Sequence, residues 1–261
     1  MDALIGYTGF VGETLLRQRE FDCKFRSTNI DAIRGGSFDW VICSAAPAQK
    51  WIANREPEAD LRNIESLIDR LESIQCRRFV LISTVDVFKQ PIGVDEDHTV
   101  DESGLHAYGL HRRLLEKFVA RLFPAALIVR LPGLIGPRLR KNALYDLLHH
   151  NNLDAVDSRG VFQFYPMVNL WADIRTAADA GLTLVHLTAE PISLADAAQQ
   201  GFGVDFKNTL ANPPARYDLQ SKHAALFGGS GAYTYSRRDS ILAMRAYAQS
   251  EPVAPAEAPR A

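Results

Sequence analysis

Residues 3–19 constrain this chain more than any other stretch. The apolar run Ala3-Leu4-Ile5 leads directly into Gly6-Tyr7-Thr8-Gly9-Phe10-Val11-Gly12, with glycines at the first, fourth and seventh positions, and an amphipathic run reaches Arg19. The spacing predicts a strand over Ala3–Tyr7, a tight turn, and a helix over Val11–Arg19. The early glycines allow the turn and let backbone N–H groups approach a pyrophosphate. The last lets helix and strand pack closely, and the helix N-terminus favours negative charge. A purely structural turn is the alternative. The location at the first strand–helix junction weighs against it.

The first half continues as short apolar runs alternating with amphipathic helices, the pattern of a parallel sheet covered on both faces. Cys23–Ser27 reads as a weaker second strand and Trp40–Cys43 as a buried strand ending in Ser44, Ala45 and Ala46. A long helix starts at Pro57, with Leu61, Ile64, Leu67, Ile68, Leu71 and Ile74 at helical spacing. Phe79–Ile82 is another buried strand, leading into Ser83 and Thr84. A polar loop over Pro91–His106, a helix with Leu110, Leu114, Leu115, Phe118, Val119 and Leu122 on one face, and a strand over Ala126–Leu131 follow. The expected fold is α/β: a Rossmann-type doubly wound parallel sheet with a small C-terminal substrate lobe. Residues 1–132 form the dinucleotide-binding domain and 133–249 the remaining sheet elements and the lobe, with helices over Ala143–His149, Leu170–Ala180, Leu194–Gln200 and Arg237–Ala248. The Pro/Ala-rich residues 250–261 read as a disordered tail.

A formal net charge of −2 gives no basic field to attract nucleic acid, so no nucleic-acid partner is expected. No apolar run approaches the ~18 residues of a membrane span. The start resembles no signal peptide. Three cysteines without paired spacing, Cys23, Cys43 and Cys76, suit a reducing cytoplasm, and Cys43 and Cys76, beside apolar runs, read as small buried hydrophobes. No metal is expected: there is no Cys-x-x-Cys or His-Glu-x-x-His, and the adjacent His149-His150 reads as the polar end of a helix.

The glycine loop resembles the Gly-x-x-Gly-x-x-Gly of the extended short-chain dehydrogenases/reductases, the NAD-dependent epimerase/dehydratase family. Further segments follow in that family's order. Ser44-Ala45-Ala46 resembles its cofactor-facing strand end, Asn63 its structural asparagine, and Ser83-Thr84-Val85-Asp86-Val87-Phe88 its Ser-Thr/Ser-x-x-Val-Tyr/Phe. Tyr108 to Arg112 resembles its Tyr-x-x-x-Lys, and Arg130-Leu131-Pro132-Gly133 through Gly136-Pro137 its Arg-x-Pro…Gly-Pro. The match covers roughly residues 1 to 140. The short link before Trp40 is more like the compact nucleotide-sugar reductases than the full-length epimerases.

The resemblance implies an NAD(P)-dependent oxidoreductase, of reductase or epimerase type, acting on a nucleotide-activated sugar or related carbonyl or hydroxyl compound. Tyr108 is then the general acid/base, Thr84 holds the same substrate oxygen, and Arg112 stands where the family has lysine. Tyr108 and Arg112, at i and i+4, share a helix face. Arginine keeps the charge, but the exchange is not conservative at such a site. The cofactor-binding set implied is Gly6, Thr8, Gly9, Phe10, Val11, Gly12, Ser44, Ala45, Ala46, Ser83, Tyr108, Arg112 and Pro132. Arg26, with Ser27, is a candidate for a 2′-phosphate, which leans the choice to NADP(H); an ordinary surface charge is the other reading of Arg26. Only one carboxylate, Asp86, lies close to Thr84, which tilts away from a dehydratase. Homodimerisation is common in the family, through the helices that begin here at Pro57 and Ala107. The competing hypothesis is a non-catalytic NAD(P)-binding sensor or scaffold, favoured by Arg112 and opposed by the retained Thr84 and Tyr108.

Overall fold

The computed structural model describes Met1–Glu251. The expected tail lies outside the described residues from position 252 onward, and Ser250 still belongs to the last helix.

In chain order the first half contains β1 (Asp2–Ile5), α1 (Phe10–Gln18), β2 (Cys23–Phe25), β3 (Ser37–Cys43), α2 (Lys50–Arg55), α3 (Pro57–Leu71), β4 (Gln75–Thr84), β5 (Ile92–Val94), α4 (Ala107–Leu122) and β6 (Leu127–Leu131). The second half contains β7 (Gly133–Ile135), α5 (Ala143–His149), β8 (Val161–Phe162), β9 (Phe164–Pro166), α6 (Leu170–Asp179), β10 (Leu184–His186), β11 (Ile192–Ser193), α7 (Leu194–Ala197), β12 (Asp218–Leu219) and α8 (Arg237–Ser250).

Six strands form one parallel sheet in the order β10-β6-β4-β3-β1-β2. This is the expected Rossmann-type architecture, in a compact version. The chain steps from β1 outward to β2, then returns across β1 to lay down β3, so the direction of winding reverses beside β1. The return link carries only a single 3₁₀ turn, Ile30–Ile33. At such a reversal a crevice opens beyond the carboxyl ends of the two strands. Register aligns Ile5 with both Phe25 and Cys43, so Gly6 and Ser44 emerge side by side at that edge.

The strands read as continuous apolar runs because both faces are covered. Ala3, Ile5, Val41, Cys43, Phe79 and Leu81 point to the side of α3 and α4, meeting Ile64, Leu67, Leu115 and Val119. Their neighbours Leu4, Ile42, Val80 and Val129 point to the other side, against Leu15 of α1 and Leu170, Ile174 and Ala177 of α6. A third core, with Ile135, Leu144, Leu147, Phe164, Ile192 and Met244, builds the second lobe around the pairs β7–β9 and β8–β11.

Several boundaries differ from expectation. The sixth strand, β10, is only three residues long and ends in His186, too little apolar pattern to announce a strand. The helix expected over Leu194–Gln200 is the short α7 running into a π-helical turn, Ala198–Phe202. There Gly201 admits Met244, whose Cβ lies 3.0 Å from where a Gly201 Cβ would stand. Helix α2 had no apolar periodicity to reveal it, and Ile74 is buried just beyond the end of α3.

Candidate active site

The glycine loop closes around the end of β3. Gly6 adopts φ +86°, and a Cβ there would lie 2.6 Å from the Ser44 carbonyl oxygen. A Cβ on Gly12 would lie 2.2 Å from the Gly6 carbonyl oxygen, so the turn and the first turn of α1 touch directly. Gly9 differs: among the described residues a Cβ there would meet just Gly6 O, at an ordinary 3.5 Å. It is the N-cap of α1 without a side-chain cap, while its own N–H is held by Gly6 O at 3.1 Å. The opening amides of α1, at Phe10, Val11 and Gly12, thus lie at an exposed edge formed by Thr8 and Gly9, with no hydrogen-bond acceptor on them among the described residues. Unsatisfied amides at a positive helix end suit a phosphate group. This cradle fits the pyrophosphate of a dinucleotide. Ser44, Ala45 and Ala46 border it, the Ser44 hydroxyl donating back to the Ile5 carbonyl at 3.0 Å. Arg26 is exposed at the end of β2, its Nε on the Thr28 hydroxyl at 2.9 Å and its amide on Asn29 Oδ1 at 2.7 Å.

Further along the same sheet edge β4 delivers Thr84, whose Oγ1 accepts the Asp86 N–H at 3.1 Å and caps the 3₁₀ turn Val85–Val87. The N-terminus of α4 rests on that turn. A Cβ on Gly109 would come within 2.1 Å of the Asp86 carbonyl oxygen. His106 caps α4 through Nδ1, which accepts the Gly109 N–H at 3.0 Å, and the Tyr108 N–H donates to Asn54 Oδ1 at 3.0 Å. The asparagine that ties down this helix is therefore Asn54 of α2. Asn63, which the sequence nominated as structural, lies exposed on α3. Tyr108 itself is 9% exposed. Burial raises its phenol above the ordinary tyrosine value; the neighbouring Arg112 charge works the other way without reversing it. The hydroxyl is thus protonated at neutral pH, ready to donate.

Arg112 is engaged through both of its Nη groups, while its buried Nε has no hydrogen-bond partner among the described residues. Its guanidinium grips Asp60 of α3 through Nη1 at 2.5 Å and Nη2 at 2.9 Å, and Nη2 also donates to the Pro47 carbonyl. Its central carbon sits 4.0 Å from the centre of the Tyr108 ring, so the cation lies over the ring. Asp60 also accepts from His111 at 2.7 Å. One turn further on, the completely buried Glu116 accepts from Ser83 Oγ at 2.6 Å, from Arg130 at 2.9 and 2.7 Å and from Arg113 at 2.9 Å. The Ser83 hydroxyl therefore points into the scaffold. Pro132 is buried where β6 ends. Helix α4 is pinned to α3 by one buried ion pair and to β6 by another, which fixes Tyr108 relative to Thr84.

The sequence matches no family profile, and no curated protein is similar to it. Among solved structures, a dTDP-4-dehydrorhamnose reductase from Clostridium acetobutylicum superposes with TM-score 0.72 at 20% identity over 95% of this chain and 99% of that one. TunA, an NAD-dependent NDP-hexosamine 5,6-dehydratase of tunicamycin biosynthesis, gives 0.74 at 16% over 97% and 98%. A UDP-N-acetylglucosamine 4-epimerase from Methanobrevibacter ruminantium gives 0.73 at 10% over 95% and 97%. The fold is that of the extended short-chain dehydrogenases/reductases.

On this extended short-chain dehydrogenase fold the carboxyl edge of the sheet brings Gly6, Ser44, Thr84 and, through α4, Tyr108 to one crevice. It also brings residues that pattern reading did not select. Lys50 Nζ lies 2.7 Å from Asp86 Oδ1, and the Tyr217 hydroxyl lies 3.1 Å from the same oxygen. Lys50 opens α2, a helix without apolar periodicity, and Tyr217 is 131 positions from Asp86. Only the folded chain unites them. Among the described residues no cluster of metal-ligating side chains occurs, and no helix is long and apolar enough to cross a membrane.

Proposed function

We propose that the protein is an NAD(P)-dependent oxidoreductase of the extended short-chain dehydrogenase family, acting on a nucleotide-activated sugar. The observation that carries this reading is the placement of Thr84 and a buried, protonated Tyr108 beside a glycine cradle open at Gly9. The bound dinucleotide would supply hydride transfer at its nicotinamide. The chain's own part is to hold and protonate. Gly6, Gly9, Gly12 and the first amides of α1 take the pyrophosphate, and Ser44–Ala46 wall the crevice. Thr84 positions the substrate oxygen, and Tyr108 gives or takes its proton. The Arg112 cation beneath the Tyr108 ring favours the tyrosinate that remains after donation. Reduction of a sugar carbonyl to a carbinol needs no more than this from the chain.

The related folds support the substrate class, since their names specify dTDP-, UDP- and NDP-sugars. A dTDP-4-dehydrorhamnose reductase from Bacillus anthracis in complex with NADP and the RMD protein of Pseudomonas aeruginosa with NADPH favour NADP(H), as does the exposed Arg26 just beyond β2; TunA is named NAD-dependent. Free cysteines fit a cytoplasmic setting, and α3 with α4 is the proposed dimer face.

Parallel fluorescence titrations with NADPH and NADH test the reading. Saturable binding of NADPH in preference to NADH is expected, and binding of neither by the folded protein removes the reading. The competing view, nucleotide binding without turnover, draws on the engagement of Arg112 by Asp60, which leaves it no free fork for a ligand. Tyr108→Phe separates the two. With an acid/base tyrosine, turnover falls by roughly 10²–10⁴-fold while cofactor affinity holds; unchanged turnover would end the proposed mechanism.

A further inference from the structure

Lys50, Asp86 and Tyr217 come from the start of α2, the turn after β4 and the segment before β12, and they meet at the open side of the crevice. Both donors use the same carboxylate oxygen: Lys50 Nζ reaches Asp86 Oδ1 at 2.7 Å and the Tyr217 hydroxyl reaches it at 3.1 Å, with 3.3 Å between the two donors. Oδ2 of Asp86 has no partner among the described residues. An ammonium carries three N–H bonds, and here two are used. The side chain of Lys50 is 38% exposed and that of Asp86 16%, so the cluster is partly open to solvent.

Two features place this cluster at the reaction centre. The Asp86 amide donates to Thr84, and its carbonyl is the surface on which Gly109, next to Tyr108, is seated. The Tyr217 ring stacks on Phe162 with centroids 5.4 Å apart and planes 23° apart, and its amide donates to the Val161 carbonyl at 3.0 Å. An aromatic face therefore stands beside the charged pair, held by the second lobe.

The chemistry selects the ligand group. A phosphate or carboxylate would meet the Asp86 carboxylate and be repelled. A sugar ring carries neighbouring hydroxyls that donate and accept at once, together with an apolar C–H face suited to an aromatic ring. We propose that Asp86, Lys50 and Tyr217 form the hexose-reading subsite of the active site. In it, Asp86 Oδ2 accepts from one ring hydroxyl, Lys50 donates to the adjacent one, and the Tyr217–Phe162 stack supports the ring. This assignment rests on the nucleotide-sugar reading above.

The test is calorimetric titration of the protein saturated with NADPH, using UDP-glucose, UDP-N-acetylglucosamine and dTDP-glucose, each against UDP or dTDP alone. The wild-type protein binds at least one sugar nucleotide about tenfold or more tighter than the bare nucleotide, as hydrogen bonds to charged groups imply. Asp86→Asn and Lys50→Met remove that preference while affinity for the bare nucleotide stays within twofold. Tyr217→Phe, which keeps the ring, weakens it less and serves as the variant least disturbing to folding; thermal melts verify all three. An Asp86→Asn protein that retains the full preference shows the cluster to be only a structural tie and overturns the proposal. A wild-type protein that saturates with NADPH yet shows no preference for any sugar nucleotide also overturns it, leaving the dinucleotide site standing. Failure to bind NADPH at all defeats the functional reading first, and this subsite with it.

Discussion

Asp60 accepts two bonds from Arg112 and one from His111 while only 5% exposed, so its removal leaves a guanidinium buried without a counter-charge. Loss of one partner of a buried pair costs about 3–5 kcal/mol, and Asp60→Asn is expected to destabilise the protein by that order in urea unfolding at pH 7. The sign of its pH dependence follows from the site. Burial alone would raise the Asp60 carboxyl, but the Arg112 and His111 bonds outweigh it and hold the group below 3.8. A carboxyl depressed in the folded state stabilises at pH values above 3.8, and that contribution is lost as pH falls through the folded value. The gap between wild type and Asp60→Asn therefore narrows in acid below about pH 3.8; a gap that widens there would contradict this account. Tyr108 and Arg112 were legible as one helix face because that needs only a spacing of four. Their partners were not: Asp60 sits 52 positions from Arg112, and the structural asparagine was assigned to Asn63 where the fold uses Asn54. Charge pairing across elements leaves no period in a sequence.

At the scale of elements, α4 and α1 each depend on a glycine, and the glycines make opposite demands on propensity and packing. Alanine in a helix is ordinarily favoured over glycine by about 1 kcal/mol. In Gly109→Ala the new methyl would meet the Asp86 carbonyl at 2.1 Å and lift α4 from the Thr84 turn. The expected outcome is a lower melting temperature despite the better helix former, with turnover reduced because Tyr108 moves from Thr84. A higher melting temperature would show that α4 does not bear on that turn. Gly12→Ala places its methyl 2.2 Å from the Gly6 carbonyl and forces the loop open. NADPH affinity should fall at least tenfold by fluorescence titration. The loop glycines, α5 from Ala143 and the start of α3 at Pro57 were all visible as local patterns. Helix α2, the three-residue β10 and the π-helical turn after α7 were not, because tertiary contacts rather than periodicity hold them.

For the whole molecule, sheet order rather than strand content decides what the protein presents to a ligand. The strands of the first half could be read one by one, but nothing in them states that β3 returns across β1 to lie between it and β4. That order puts the glycine cradle, the Ser44–Ala46 wall and the Thr84–Tyr108 pair on one edge, while Lys50, Asp86 and Tyr217 bridge this edge to the second lobe. A dinucleotide lying along the edge would touch β1, α1, β3 and α4 together, and those elements lose their relative positions on unfolding. Binding should therefore act on global stability. At a free concentration one hundred times its Kd, a ligand specific for the folded state adds about 2.7 kcal/mol, which for a chain of this size corresponds to roughly 5–10 °C in Tm. NADPH is expected to raise the melting temperature by that amount, the shift growing with the logarithm of its concentration. The Gly12→Ala protein should show little shift, and Tyr108→Phe nearly the full shift, since the phenol serves the substrate oxygen. Equal shifts in the wild type and Gly12→Ala would mean that the nucleotide sits elsewhere, and the assignment of this edge would fall.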